Sequence, residues 1–128
     1  MQYQELTVCV IDDTATALRA AKALLSHAVK EVITVNTTYD ALVLLNTRKI
    51  DLIFCDVEVP PLTGFDFCRI VKTTTEHKDI PIVLVTSRRG IVDKARGLLV
   101  GAQGYVSKPF HRSELVDKLS LAVSGEHE

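Results

Sequence analysis

The sequence predicts an α/β fold, in which an open, doubly wound sheet of five parallel strands carries helices on both faces. Three observations predict it. Apolar runs alternate five times with segments of helical periodicity, as in βαβ units. The apolar runs lack polar alternation, as expected of strands buried on both faces. The chain of 128 residues is also too short for a closed barrel of alternating strands and helices.

The first half of the chain is predicted to contain two strands and two helices. An apolar run at 6–11 predicts a strand that stops at Asp12 and Asp13, and Thr14 is a suitable cap for a helix over 15–28. A short strand over 32–35 precedes a turn at 36–38 and a helix over 39–48. The inward positions of the helices are Leu18, Ala21, Leu25, Ala28, Ala41, Leu42 and Leu45.

The centre of the chain is an uninterrupted apolar run over 52–55 that stops at Asp56. A carboxylate at the carboxyl end of a buried strand lies where open α/β sheets bind ligands. Pro60, Pro61 and Gly64 favour a turn in the loop that follows.

The second half repeats the pattern. A helix over 65–75 presents Phe67, Ile70 and Val71, and a strand over 82–85 stops at Thr86. A helix over 91–100 ends at Gly101, a common left-handed terminator. A strand over 104–107 leads into Lys108 and Pro109, and a last helix over 113–123 follows. Its inward positions are Leu115, Val116, Leu119, Ala122 and Val123.

The composition indicates one globular domain, with its core at about 6–123 and a polar tail at 124–128. Hydrophobic residues make up 47% of the chain, and the formal net charge is −1. We expect a cytoplasmic protein without membrane insertion, because no apolar run approaches the roughly 20 residues of a membrane span and residues 1–5 lack a leader pattern. No basic cluster favours nucleic-acid binding.

The cysteines Cys9, Cys55 and Cys68 are odd in number and lack metal-ligand spacing. Two of them fall inside apolar runs, so we interpret all three as buried thiols. We expect neither a disulfide nor a zinc site.

Parallel strands present their carboxyl ends at one edge of the sheet, so the polar residues that follow them should share a crevice. Three carboxylates in one crevice need a cation, because like charges raise one another's pKa. Mg²⁺ prefers such oxygen ligands, while a lysine and a threonine suit a phosphoryl group. The sequence therefore predicts a phosphoryl-transfer site. Its residues are Asp12, Asp13, Asp56, Thr86 and Lys108.

Asp56 is the predicted nucleophile of this site. It stands alone at the end of the central strand, whereas Asp12 and Asp13 are adjacent and better placed to hold a cation. Taken alone, the adjacent pair could also be helix-cap acids, Lys108 a loop lysine and Thr86 a simple cap.

Four motifs in order, V-I-D-D, F-C-D-V-E-V-P-P-L-T-G, V-T-S and G-Y-V-S-K-P-F, resemble those of response-regulator receiver domains, and the chain is similar to the single-domain chemotaxis regulators. The likeness covers about 6–123 and implies a flavodoxin-like strand order 2-1-3-4-5. The stretches V-E-V-P-P-L-T-G and V-T-S-R-R-G are also similar to receivers of chemotaxis-type kinases and of pilus-based motility systems.

The resemblance implies that Asp56 accepts a phosphoryl group from a phosphohistidine of a sensor kinase or phosphotransfer protein. Asp13, Asp56 and the backbone carbonyl of Glu58 would hold Mg²⁺, with Asp12 acting through water. Lys108 would pair with the phosphoryl group, and its bond to Pro109 would be cis. The protein would catalyse only its own phosphorylation and slow dephosphorylation.

The resemblance further implies a switch. Thr86 would move toward the phosphoryl group and let Tyr105 turn inward, which reshapes the surface of helix four, strand five and helix five. A downstream target protein would read that surface, since no output domain is recognisable in the sequence. We expect a monomer or weak dimer.

Several side chains keep two interpretations at this point. Glu58 is either solvated or tunes phosphoryl lifetime and metal affinity, and Tyr105 is either a switch or an ordinary half-buried tyrosine. Residues Ile91, Leu99 and Val100 either extend the core or form a partner patch. Arg88 and Arg89 either guide an acidic partner or belong to a solvated loop.

Three other functions compete. A phosphatase of the haloacid dehalogenase type also uses a strand-end aspartate, Mg²⁺ and a lysine, but it has a second aspartate where Glu58 stands. A flavin or nucleotide binder would need a glycine-rich phosphate loop, which the sequence lacks. A receiver-like docking module that is never phosphorylated would not need the Asp, Thr and Lys set.

Overall fold

The computed structural model describes residues 2–87 and 91–124. Its strands are β1 Thr7–Ile11, β2 Glu31–Val35, β3 Leu52–Asp56, β4 Ile82–Thr86 and β5 Gly104–Ser107. Its α-helices are α1 Ala15–Leu25, α2 Thr38–Thr47, α3 Gly64–Thr73, α4 Ile91–Leu99, α5 Arg112–Lys118 and α6 Leu121–Ser124. A 3-10 turn, Gln2–Glu5, precedes β1. Among the described residues no helix is long and apolar enough to cross a membrane.

The five strands form one parallel sheet in the order β2-β1-β3-β4-β5, which confirms the predicted fold and strand order. The register aligns the strand ends. Ile11 lies opposite Cys55, Asp56 opposite Val85, and Thr86 opposite Ser107. The residues that leave these strands therefore emerge side by side at one edge.

Apolar side chains fill both faces of the sheet, which explains why the strand sequences show no alternation. One apolar cluster lies under α2, α3 and α4 and includes Ile53 and Phe67. The other lies under α1 and α5 and includes Phe54 and Leu115. Every position of β1, β3 and β4 is buried as a result.

The cysteines Cys9, Cys55 and Cys68 are buried free thiols within the cluster under α2 to α4, as predicted. Burial raises the pKa of Cys9 to about 12 and that of Cys68 to about 11. These thiols therefore stay protonated at neutral pH and act as small apolar side chains.

Threonines begin three of the helices. The hydroxyls of Thr14, Thr37 and Thr63 each accept a hydrogen bond from the backbone N–H three residues later, at the start of α1, α2 and α3. Such a bond satisfies one of the free N–H groups of the first turn. The predicted cap at Thr14 is confirmed, and Gly101 follows α4 with a left-handed φ of 94°.

The predicted ends of two helices were wrong. Helix α1 stops at Leu25, three residues early, because the N–H of Ala28 bonds the Leu25 carbonyl and that of Lys30 bonds Leu6, which leads the chain into β2. The last helix is divided into α5 and α6. The Ser120 hydroxyl bonds the Asp117 carbonyl there, and tighter i to i+3 bonds replace the α-helical ones.

One predicted core residue of α3 was also wrong. Ile70 is 36% exposed, whereas Phe67 and Val71 are buried. The buried stripe of α3 runs through Gly64, Phe67, Cys68 and Val71, and Ile70 lies to one side of it. Three apolar residues at helical spacing therefore marked the helix correctly but not its inward face.

Candidate functional site

Asp12 leaves β1 at the shared edge and is 3% exposed. One carboxylate oxygen, Oδ1, accepts hydrogen bonds from the backbone N–H and the hydroxyl of Thr14, each at 3.0 Å. The other, Oδ2, lies 2.6 Å from the Lys108 Nζ. One oxygen of Asp12 therefore bonds Thr14, the residue that caps α1, and the other faces Lys108.

Asp56 is the last residue of the central strand and is 7% exposed. Its Oδ2 lies 3.7 Å from the Lys108 Nζ. Asp12, Asp13 and Asp56 each offer a carboxylate oxygen, and these oxygens all lie within 4.8 Å of one another. The predicted convergence of the three acids is therefore what the sheet produces, with Asp13 the exposed member.

Burial raises the pKa of Asp56, and the charges of Asp12 and Asp13 raise it further; Lys108 and a hydrogen bond from the backbone of Glu58 oppose them but do not cancel the shift. Burial also disfavours the charged Lys108, yet the Asp12 hydrogen bond and the carboxylate charges outweigh it, so the Lys108 pKa is raised. Lys108 alone therefore does not offset the effects of burial and of the neighbouring carboxylates on Asp56. Lys108 itself stays protonated at neutral pH.

Lys108 follows β5 directly, and its backbone N–H donates to the Thr86 carbonyl at 2.7 Å. This bond ties the end of β5 to the end of β4, so Lys108 and Thr86 share the edge with the acids. The bond between Lys108 and Pro109 is cis, as the resemblance implied. Thr86 is 1% exposed.

The donor set fits Mg²⁺. Three carboxylates whose oxygens lie within 4.8 Å are hard oxygen ligands of the kind this ion prefers, and it completes its octahedron with water and phosphate oxygens. The loop after Asp56 adds backbone groups to the same place, because the Glu58 backbone hydrogen-bonds the Asp56 carboxylate. The Glu58 side chain itself is exposed.

Tyr105 is a half-buried residue of β5 that packs against the cluster under α2 to α4. The Lys94 Nζ lies 5.9 Å from its ring centroid. Next to it, α4 carries Gly97, where an added Cβ would lie 3.2 Å from Leu84. A cavity of about 210 Å³ opens between α4 and β5. Its lining is Lys94, Gly97, Leu98, Ala102, Gln103, Gly104 and Tyr105.

The proposed apolar patch on α4 is only partly as predicted. Leu99 is 87% exposed, and its neighbour Leu98 is 74% exposed. For Val100 the core interpretation holds, because this residue is half-buried and packs against the core cluster. The side chain of Ile91 lies outside the described part of the structure, as do Arg88 and Arg89.

Sequence reasoning missed two residues beside the site. Thr38 lies in the predicted turn and cap before α2, but its buried hydroxyl hydrogen-bonds the backbone of the loop after Asp56. Gly64 is predicted as a turn glycine, but it begins α3 at a position where an added Cβ would lie 2.6 Å from the Asp56 carbonyl oxygen. The string Pro-Pro-Leu-Thr-Gly signals the turn; no local signal connects Thr38 to a loop more than 20 residues away.

Comparison with known proteins identifies the class. The family model described as the response regulator receiver domain matches residues 8–120, so the chain belongs to the response-regulator receiver family. It is 35% identical to the protein PilG of Pseudomonas aeruginosa over 95% of this chain and 90% of that one. It is 34% identical to the phosphate regulon regulator PhoB of the same species, over 91% of this chain but 51% of that protein.

Solved structures agree with this assignment. The chemotaxis response regulator CheY4 of Vibrio cholerae is 30% identical, with a TM-score of 0.85 over 92% of this chain and 98% of that one. A response regulator from Chloroflexus aurantiacus is 28% identical, with a TM-score of 0.88 over 94% and 98%. The protein is thus a signalling switch of the two-component type that responds to phosphorylation, and the phosphatase alternative is not favoured.

Proposed function

We propose that Asp56 is the residue that accepts the phosphoryl group. A carboxylate oxygen of Asp56 attacks phosphorus, the bond from phosphorus to the phosphohistidine nitrogen breaks, and the imidazole leaves with the electron pair of that bond and takes up a proton. The observation that carries this proposal is the position of Asp56 at the end of the central strand, within 4.8 Å of two further acids and 3.7 Å from Lys108.

Asp13, Asp56 and the backbone carbonyl of Glu58 would hold Mg²⁺, with Asp12 acting through water. When bound, the ion neutralises the acids and the phosphoryl oxygens. Two features of the chain support this assignment: Asp12 is already engaged by Lys108 and Thr14, while Asp13 is exposed. The protein would thereby catalyse its own phosphorylation and slow dephosphorylation.

Lys108 would pair with the new phosphoryl group, since its ammonium already lies between Asp12 and Asp56. Thr86, at the adjacent strand end, would donate its hydroxyl to a phosphoryl oxygen. Tyr105, on the neighbouring strand and beside the cavity at α4, would then move inward. The surface of α4, β5 and α5 would change shape, with Leu98 and Leu99 as its exposed apolar residues.

The partners would be a sensor histidine kinase or phosphotransfer protein that supplies the phosphoryl group, and a target protein that reads the altered surface. Residues 6–123 would act as one receiver domain, in the cytoplasm, where such phosphotransfer takes place. The likeness to PilG and to CheY4 supports a role in motility or chemotaxis signalling.

Intact-mass spectrometry after incubation with acetyl phosphate and Mg²⁺ tests the proposal. We expect one acid-labile phosphoryl group on the wild type, with acetate released, and none after chelation of Mg²⁺. Asp56→Asn should incorporate none. Asp51→Asn, at the other end of the same strand, is the matched control and should incorporate as the wild type does.

Incorporation that persists in Asp56→Asn would place the nucleophile elsewhere. Repeated turnover on ordinary phosphate esters would instead favour the hypothesis of a phosphatase of the haloacid dehalogenase type. A wild type that takes up no phosphoryl group under any of these conditions would support the docking module.

A further inference from the structure

The loop over 57–63 begins directly after Asp56 and supplies backbone groups to the site. The backbone of Glu58 hydrogen-bonds the Asp56 carboxylate, and its carbonyl is the proposed third protein ligand of Mg²⁺. The position of this loop therefore sets two atoms of the site. The residues that hold the loop in place therefore also position these two backbone groups of Glu58.

Gly64 closes the base of the loop. Its N–H donates to the Val57 carbonyl at 2.8 Å, so the loop leaves and rejoins the strand end at the same place. A Cβ at Gly64 would lie 2.6 Å from the Asp56 carbonyl oxygen and 2.9 Å from the Val57 Cα. This approach needs a glycine, since backbone atoms cannot move aside as a flexible side chain can.

Thr38, the first residue of α2, holds the far side of the loop. Its backbone N–H donates to the Pro60 carbonyl at 3.1 Å. Its hydroxyl donates to the Leu62 carbonyl at 3.1 Å and accepts from the Leu62 N–H at 2.9 Å. Both backbone groups of Leu62 are thus satisfied by one side chain that is 0% exposed.

The helix does not need this hydroxyl for its own start. Thr37 caps α2, with its Oγ1 accepting from the Asp40 N–H at 3.0 Å. The two adjacent threonines therefore have different roles: the Thr37 hydroxyl caps the helix, and the Thr38 hydroxyl hydrogen-bonds the loop. Because the Thr38 hydroxyl is buried, losing it would remove the partner of both Leu62 backbone groups and loosen the loop at Leu62.

We infer that Thr38 is a positioning residue that holds the loop over 57–63, and through it the Glu58 carbonyl, in the arrangement that binds Mg²⁺. This inference rests on the proposed function of the site. Residues that orient metal ligands from behind commonly change metal affinity by 10- to 100-fold when mutated. Thr38 acts through one loop carbonyl, so the lower end of that range applies.

The test is Mg²⁺ titration of the full chain by calorimetry, together with amide hydrogen exchange of the metal-free protein. We expect Thr38→Val, which keeps the shape but lacks the hydroxyl, to weaken Mg²⁺ binding by about tenfold and to speed exchange at the Leu62 amide. Thr38→Ser keeps the hydroxyl and should restore both. Thr37→Val is the matched control: it loses the helix cap and lowers the melting temperature but leaves Mg²⁺ affinity unchanged.

Three results would overturn the inference. Wild-type Mg²⁺ affinity in Thr38→Val would show that the loop does not set the metal site, and unchanged Leu62 exchange would show that the hydroxyl does not hold the loop. The same loss of affinity in Thr37→Val would make the effect one of helix stability. A wild type that does not bind Mg²⁺ would refute the proposed function itself, and the inference with it.

The wild type alone gives a further check if Thr38→Val does not fold. Coupling between sites is reciprocal, so saturating Mg²⁺ should slow exchange at the Leu62 and Gly64 amides. Exchange rates that do not respond to Mg²⁺ at these two positions would contradict the inference without any substitution.

Discussion

The central strand has an aspartate at each end, and the two differ in what surrounds them. Asp51 precedes β3 at the amino edge of the sheet, where its Oδ2 accepts from the Thr7 N–H at 2.9 Å and its own N–H donates to the Thr7 carbonyl at 2.9 Å. Asp56 ends β3 at the carboxyl edge, among two other acids and Lys108.

The difference lies in the partners of each carboxylate. Asp51 is satisfied by a backbone N–H and joins two neighbouring strands, which is a structural task. Burial raises the pKa of Asp56, and the like charges of Asp12 and Asp13 raise it further. A bound cation or a proton would relieve this unfavourable charge. The same residue type thus stabilises one end of the strand and, under the proposed function, accepts the phosphoryl group at the other.

The largest change in unfolding free energy should come from Lys108→Ala, at the carboxyl edge. It removes the amine 2.6 Å from the 3%-exposed Asp12, and a buried carboxylate oxygen that loses this cationic partner should cost about 1–3 kcal/mol of unfolding free energy. We also expect phosphorylation at Asp56 to continue while the NMR signals of Tyr105 and α4 no longer shift with it.

The control for Lys108 is Lys49→Ala at the amino edge. The Lys49 Nζ lies 3.9 Å from the Asp51 carboxylate, with its side chain 90% exposed, so the change in unfolding free energy should stay below about 0.5 kcal/mol. Tyr105 signals that still shift on phosphorylation of Lys108→Ala would show that Lys108 does not couple the site to the switch.

Substitution of the aspartate should change stability in opposite directions at the two ends of β3. In the absence of metal at neutral pH, Asp56→Asn should raise the melting temperature, because it removes a charge that burial and the like charges of Asp12 and Asp13 disfavour. Asp51→Ala should lower the unfolding free energy by about 1–2 kcal/mol, because the Thr7 N–H loses a charged acceptor. Each kcal/mol corresponds to roughly 4 °C in a domain of this size.

The stability difference between Asp56→Asn and the wild type should depend on pH. The raised pKa of Asp56 means that the folded state keeps this proton to a higher pH than the unfolded state does. Its stabilising contribution is therefore present in acid and is lost as the pH rises through the folded pKa. The stability advantage of Asp56→Asn should grow from acid toward neutral pH, and a constant or shrinking advantage in melting curves would contradict the raised pKa of Asp56.

The Arg48–Glu31 ion pair at the amino edge should contribute less to stability than Lys108 or Asp51. Both side chains are more than 40% exposed, so Glu31→Gln should cost no more than about 1 kcal/mol in urea unfolding, and less at high salt. A cost equal to that of Lys108→Ala would mean that the two edges do not differ as described.

Much of the fold and site was predictable because the deciding signals are local or topological. Apolar runs marked all five strands, and parallel pairing brings strand ends together whatever their separation in sequence. Asp12, Asp56 and Lys108 could therefore be grouped although 96 residues separate the first from the last.

What the sequence could not provide depends on tertiary contacts. The early end of α1 depends on bonds from Ala28 and Lys30 into neighbouring segments, and the contact of Thr38 with Leu62 spans 24 residues. The resemblance implies that Lys108 pairs with the phosphoryl group, whereas the Lys108 amine in the structure lies nearer to Asp12 than to Asp56. Such distances follow from side-chain packing, which no local pattern records.

The most direct measurement is chemical mapping of the phosphorylated residue. Borohydride reduces an aspartyl phosphate to homoserine, so protein treated with acetyl phosphate and Mg²⁺ and then reduced should yield one modified peptide, with homoserine at position 56. Homoserine at position 12 or 13, or a reduced glutamate at 58, would contradict Asp56 as the acceptor and with it the contrast between the two ends of the central strand.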